Sequence, residues 1–321
     1  MQSLDNHSAN HDAKVKAFRV SLWVNTILPP LKLLVGIFGS SVALIADGIN
    51  SLADILSNLV VYVLLKISGK PRDDDHNYGH GKYETVASFA LGAVMILAGI
   101  WIIVDSGTTI GRYFTEGVLP ERPATLVLIV AIFAMGLKEW AYHYTIQKAR
   151  ETKSEVLRAE AMDHRSDVFT SLAVLIGAGC SILFGGIAQL MEPVAAIVVA
   201  GFVMNMGFKV TSPAFDKLTE GSLPKETETE ILQIAGSVEG IQEPHNIRTR
   251  MTGSDSIAIE MDVRCDGSMP LYKAHDLSIQ VEDKLRERFG TDTHIIIHIE
   301  PIQRFEHKVG AYKEVYDDST K

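Results

Sequence analysis

The sequence predicts two parts: an α-helical membrane domain with six transmembrane helices, then a small cytoplasmic α+β domain with the order αββαβ. Three observations predict this. Residues 17–210 are mostly long apolar runs and residues 211–321 are not, so the mean hydropathy of +0.14 averages two populations. Each run approaches the roughly 20 residues needed to cross hydrocarbon. The remainder alternates and turns as a small mixed domain does. A chain of 321 residues is also long enough for two domains.

Taken in order, residues 1–16 are polar, lack the apolar core of a cleaved signal peptide, and read as a disordered cytoplasmic tail. The first span is 17–37. It is imperfect, with Asn25, Pro29, Pro30 and Lys32, which a bundle tolerates where neighbouring helices cover them. A GSS turn leads to the second span, 40–66. The third is 83–106, the fourth 125–144, the fifth 159–183 and the sixth 187–208. Lys66, Lys70, Arg72 and Lys82 flank the loop after the second span, and Lys148, Arg150, Lys153 and Arg158 that after the fourth. Lys209 and Lys217 follow the sixth, while the opposite loops are nearly free of basic residues. The basic side faces the cytoplasm, so both termini are expected there, in a multi-pass protein of the cell (inner) membrane. The cytoplasmic domain is expected over 211–305, with a Pro-capped helix, two alternating strands, an amphipathic helix and a strand closed by Pro301. Residues 306–321 read as a flexible C-terminal tail.

The net charge of −9 argues against nucleic acid as a partner. The two cysteines, Cys180 and Cys265, fall in different parts and form no CxxC pair. No disulfide is expected.

Chemistry concentrates in three groups. The second span carries Asp47, Asn50 and Asp54, although a carboxylate in hydrocarbon costs roughly 2.5–3.5 kcal/mol even on lenient scales. Asn50 and Asp54 are four residues apart and share a helix face, as do Asp163 and Asp167 on the fifth span. Two helices, each offering an oxygen pair, suit one hard divalent cation, and protons replacing it on the carboxylates open a route to exchange. Asp47 is expected to face the outward mouth, as a cation-entry residue or a helix cap. In the loop DDDHNYGHGK, Asp73, His76 and His80 supply mixed oxygen and nitrogen ligands. In the soluble part, His245, Asp262, His275, His298 and Glu300 form a third, scattered set, with His298 and Glu300 on one strand face.

These residues resemble the cation diffusion facilitator family over nearly all of 17–303, chiefly in GSSVALIADGINSLADILSN, HNYGHGKYE, AEAMDHRSDVFTS, HNIRTR and IIIHIEP. The resemblance implies a homodimer with a metallochaperone-like cytoplasmic domain. It implies export of a divalent metal substrate in exchange for protons, by alternating access, with no cofactor and no enzymatic activity. It places the transport site at Asn50, Asp54, Asp163 and Asp167, an interfacial site at Asp73, His76 and His80, and a cytoplasmic site at His245, Asp262, His275, His298 and Glu300. It also implies an ion pair between Lys82 and an acid after the sixth helix, Glu220 or Asp216. Zinc-type members carry His where Asp163 stands, and His164 points roughly 100° away on a helix. The Asn-Asp-Asp-Asp set resembles the manganese branch. Mn(II) is therefore the expected substrate, with zinc, iron(II) or cadmium as the alternative. An intramembrane aspartyl protease is a remote alternative, since its GxGD-like surround is absent. A metal-sensing scaffold without transport would leave the membrane carboxylates an unexplained cost.

Overall fold

The computed structural model describes residues 2–68, 73–152, 154–253 and 256–302. They divide into two compact units, residues 1–218 and 219–321.

The first unit holds six long helices: α1 (Gln2–Phe38), α2 (Val42–Ser68), α3 (Lys82–Glu116), α4 (Thr125–Thr152), α5 (Glu155–Phe184) and α6 (Met191–Leu218). Five contain stretches long and apolar enough to span a membrane: 19–38, 82–116, 125–152, 157–184 and 186–218. With 27 residues, α2 is the sixth, about 40 Å long. Large apolar side chains are exposed along these helices, among them Trp23, Leu97, Trp101, Ile129, Phe133 and Phe169, as a surface facing lipid requires.

Two boundaries differ from expectation. The stretch 2–16 continues α1 as helix, because no Gly or Pro interrupts the chain before Pro29. The membrane unit ends at Leu218 rather than residue 210, because α6 carries on through its polar last turns and through Pro213. The C-terminal stretch 306–321 lies outside the described residues.

Small residues let these helices approach. Ala43, Ala46, Ala131, Ala178, Ala195, Ala196 and Ala200 sit in the central core. Where α3 runs along α6, a Cβ on Gly92 would lie 2.7 Å from the Gly207 carbonyl oxygen, so the contact admits only glycine. Pairing α3 with α6 leaves α2 and α5 to face each other, with α1 and α4 flanking.

The second unit has the expected order: α7 (Lys225–Gly236), β1 (Gln242–Met251), β2 (Ile257–Cys265), α8 (Leu271–Phe289) and β3 (His294–Pro301). The sheet order is β1-β2-β3, with β1 antiparallel and β3 parallel to β2. The strand β2 alternates from Ile259 onward: Ile257, Ile259, Met261 and Val263 are buried under α7 and α8 with Ile231, Val281 and Leu285. The intervening Glu260, Asp262 and Arg264 take the other face.

Candidate metal centre

Helices α2 and α5 run antiparallel and meet in strict register. Asn50 Nδ2 donates to Asp167 Oδ1 at 2.9 Å. One turn towards the N-terminus of α2, Asp47 accepts from Thr170 Oγ1 at 2.7 Å and from Ser171 Oγ at 2.8 Å. One turn the other way, Asp54 and Asp163 line the same cavity as Asp167. The two i, i+4 pairs thus converge as their spacing predicts. Exposure falls along the row. Asp163 is exposed, Asp54 is half-buried, Asn50 and Asp167 are buried, and Asp47 is fully enclosed. The cavity, of about 110 Å³, therefore opens at the Asp163 end. To offer Oδ1 to a cation, Asn50 must turn its amide away from the bond it makes to Asp167.

The expectation for Asp47 is corrected. It does not line an outward mouth, and its position in the second turn of α2 is too deep to cap that helix. Its Oδ2 pairs with Lys32 Nζ at 2.8 Å, both side chains being 0% exposed. Lys32 also donates to Ser51 Oγ at 3.1 Å and Ser171 Oγ at 3.2 Å. The cap falls instead to Ser41 Oγ, which accepts from Leu44 N, and to Glu192 of α6, whose Oε1 accepts from Ala43 N at 2.9 Å and Ser41 Oγ at 3.0 Å.

The cavity has further walls that the oxygen pairs alone do not reveal. Asn25 of α1, Lys138 of α4, Glu160 and His164 of α5, and Met206 of α6 line it. Lys138 Nζ pairs with Asp167 Oδ2 and donates to Asn25 Oδ1 at 2.7 Å. Asn25 Nδ2 donates to Glu160 Oε1 at 3.4 Å, Ser21 Oγ donates to that same oxygen, and Ser21 Oγ lies 2.7 Å from His164 Nε2. Two sequence signals for this wall exist. Glu160, Asp163, His164 and Asp167 follow the spacing of one helix face, and the polar breaks in the first span, Asn25 and Lys32, both turn inward. The expectation that His164 is aimed away from the site is also corrected. Because α1 forms part of the wall, the polar lining is wide enough to take in both Asp163 and the residue after it.

The loop group converges. Ligand atoms of Asp73, His76 and His80 lie within 4.8 Å of one another. Asp73 Oδ1 accepts from the His76 N–H at 2.7 Å and lies 3.3 Å from His76 Nδ1, and Oδ2 lies 3.4 Å from His80 Nε2. Partial desolvation works against ionisation of Asp73. The His76 N–H and both imidazoles outweigh it and hold the carboxyl below its ordinary value.

The soluble group converges in part. His245, Asp262 and Glu300 bring ligand atoms within 4.8 Å, with His245 Nε2 3.4 Å from Glu300 Oε2. His245 is opposite Asp262 in the ladder, and Asp262 is opposite His298, so the three form a row across the sheet. Register shifts on both sides of His245, with Glu243 and Asn246 at positive φ, bulge β1 there and aim the imidazole. His275 does not join them. It is exposed on α8, whose buried face is Ala274, Ser278, Val281 and Leu285. Asp262 Oδ2 accepts from Asn246 Nδ2 at 2.8 Å, and Arg264 Nε lies 3.5 Å from Glu300 Oε2.

Comparison with known proteins agrees with this geometry. Residues 18–219 match the cation efflux transmembrane domain, and residues 223–302 match the cytoplasmic domain of cation efflux proteins. The manganese efflux system protein MneP of Bacillus subtilis is 27% identical over 290 residues, covering 89% of this chain and 95% of that protein. The uncharacterized transporter YdbO of Bacillus subtilis is 31% identical over 289 residues, with the same coverages. The cation-efflux pump FieF of Serratia proteamaculans is 28% identical over 277 residues, covering 86% of this chain and 89% of that one. With both family domains matched along nearly its whole length, the chain belongs to the cation diffusion facilitator family, as a multi-pass membrane transporter that exports divalent metal and carries a cytoplasmic domain.

Proposed function

We propose that this transporter is a proton-coupled antiporter exporting Mn(II) from the cytoplasm by alternating access. The observation that carries this reading is the register-matched set Asn50, Asp54, Asp163 and Asp167, which offers oxygen at all four positions. Oxygen ligands suit a hard ion, and without imidazole the set loses its bias towards zinc. Metal enters at the exposed Asp163, passes to Asp54 and the buried Asp167, and Asn50 contributes its neutral oxygen. Protons take carboxylates of this set once the metal has left, because several carboxylates gathered in one cavity around a single lysine would be costly to leave ionised. The likeness to MneP supports manganese.

We place both termini in the cytoplasm of a cell bounded by the inner membrane, from the basic loops, and we read the protein as a homodimer. Asp73, His76 and His80 form an interfacial site, and His245, Asp262 and Glu300, with His298 beside Asp262, a cytoplasmic one, without His275. We read Lys82, at the start of α3, as one half of an ion pair whose acid is Asp216 in the last turn of α6 or Glu220 just after it.

One observation favours a second reading. His164 brings a nitrogen donor to the cavity wall, and a cation-efflux pump is as similar to this chain as the manganese system is. Zinc, iron(II) or cadmium export is that alternative. The test is Mn(II) uptake into proteoliposomes under an imposed pH gradient. Asp163→Ala should reduce it to background, and uptake at the normal rate would sink the site assignment.

A further inference from the structure

Lys138 sits at the midpoint of α4 with its side chain fully buried, and nothing in the four-oxygen set calls for it. A desolvated ammonium is costly unless it is paired. Its direct partner is Asp167, one of the carboxylates assigned above to the metal. Its second partner is Asn25 Oδ1 at 2.7 Å, and Asn25 leads on to Glu160. Glu160 therefore stands one residue beyond Lys138 along the wall, towards the open Asp163 end, with its own donors in Ser21 and Asn25. The cavity gathers four carboxylates, Asp54, Asp163, Asp167 and Glu160, around a single lysine.

We propose that Lys138 is a tethered cation that competes with the metal for Asp167, and so sets how tightly this exporter holds its substrate. The proposal rests on the assignment of Asn50, Asp54, Asp163 and Asp167 to the metal. In a cavity of about 110 Å³, an ammonium on Asp167 and a divalent ion on the same carboxylate repel strongly. Metal binding therefore requires Lys138 to leave Asp167 and move along Asn25 towards Glu160. A lysine is suited to this: a point charge on a flexible stem with three rotatable donors, where arginine would fix a carboxylate in a planar fork. The competition lowers affinity, which favours release, and it keeps Asp167 neutralised while the carrier resets. Lys138 is a positioning and affinity-setting residue, not a ligand.

A purely structural ion pair between α4 and α5 predicts the opposite response. Removing it would orphan Asp167, loosen the site and weaken metal binding. The experiment uses the full chain in detergent, with Asp73→Ala and His245→Ala to silence the other two groups and MnCl₂ alone as the probe. Titration calorimetry gives Kd, and proteoliposome uptake gives KM and kcat. Lys138→Met should tighten Kd on the order of tenfold or more, lower KM and slow turnover, while Lys138→Arg should weaken Kd. An unchanged or weaker Kd in Lys138→Met overturns the proposal. If that variant fails to elute as a folded species, Lys138→Gln, which keeps hydrogen bonds to Asp167 and Asn25 without the charge, is read by the same criterion. Asp163→Ala separates the two levels. If it abolishes binding while Lys138→Met leaves affinity alone, only the lysine's role fails. If it leaves binding intact, the site assignment fails and the proposal with it.

Discussion

Lys32→Met should destabilise the membrane unit far more than the loss of one lysine on a helix surface would. Lys32 Nζ sits 2.8 Å from Asp47 Oδ2, and neither side chain has any exposure. With the ammonium gone, Asp47 keeps only the hydroxyls of Thr170 and Ser171 as donors. An uncompensated buried carboxylate of this kind costs about 3–5 kcal/mol. At about 2–4 °C per kcal/mol for a unit of this size, the melting temperature should fall by about 10 °C. The double variant Lys32→Met, Asp47→Leu removes both charges and should recover most of that loss, since well-packed apolar replacements of buried pairs are often neutral. Recovery should fall short by about 1–3 kcal/mol, because Ser171 loses an acceptor, whereas Thr170 Oγ1 keeps the Asp167 carbonyl at 2.9 Å. The assay is thermal loss of the monodisperse peak in detergent, run on wild type, both single variants and the double. A single variant melting within about 2 °C of wild type, or a double no better than the single, would refute the assignment of Asp47 to a buried pair.

Asp163→His places an imidazole in the open end of the cavity and should shift uptake preference from manganese towards zinc; competition between the two metals in proteoliposomes reads it directly. Gly92→Ala should cost about 1–3 kcal/mol, because its Cβ would meet the Gly207 carbonyl, while Gly107→Ala on the same helix meets nothing within 4 Å and should leave the melting temperature unchanged or raised. In the soluble unit, the Lys225 hydrogen bond, helped by Thr249, holds the Glu228 carboxyl below its ordinary value. That stabilisation is present above the ordinary glutamate range and is lost as pH falls through the lower folded value. Glu228→Gln should therefore lower stability at neutral pH and flatten its decline in acid, as followed by circular dichroism.

The helices, the hairpin, the alternation of β2 and the two i, i+4 oxygen pairs were legible because each depends on local periodicity. Apolar runs of span length must be helical in lipid, and residues four apart on a helix must share a face. Loop spacing likewise brought Asp73, His76 and His80 together, since a short loop leaves few ways to separate them. Lys138, Glu160 and Asn25 were illegible as a group because they come from three helices, and their meeting depends on how α1, α4 and α5 rotate about their axes. Only packing fixes that rotation, through small residues such as Ala131, Ala134, Ala141 and Ala178.

Asp47 shows the division most clearly. The sequence by itself determined that a carboxylate lies in the second span, one turn from Asn50, and that such a group needs a partner or a cation. It could not say which, because Lys32 and Asp47 are equally compatible with separate roles until α1 and α2 pack. The tertiary structure gave Asp47 to Lys32, Thr170 and Ser171, and it gathered Asp54, Asp163 and Asp167 around one cavity with Lys138 on Asp167. The physical reason is the cost of charge in a desolvated interior. Every buried carboxylate must be balanced, and which cation balances it, a lysine or a transported ion, is decided by what the neighbouring helices bring within reach.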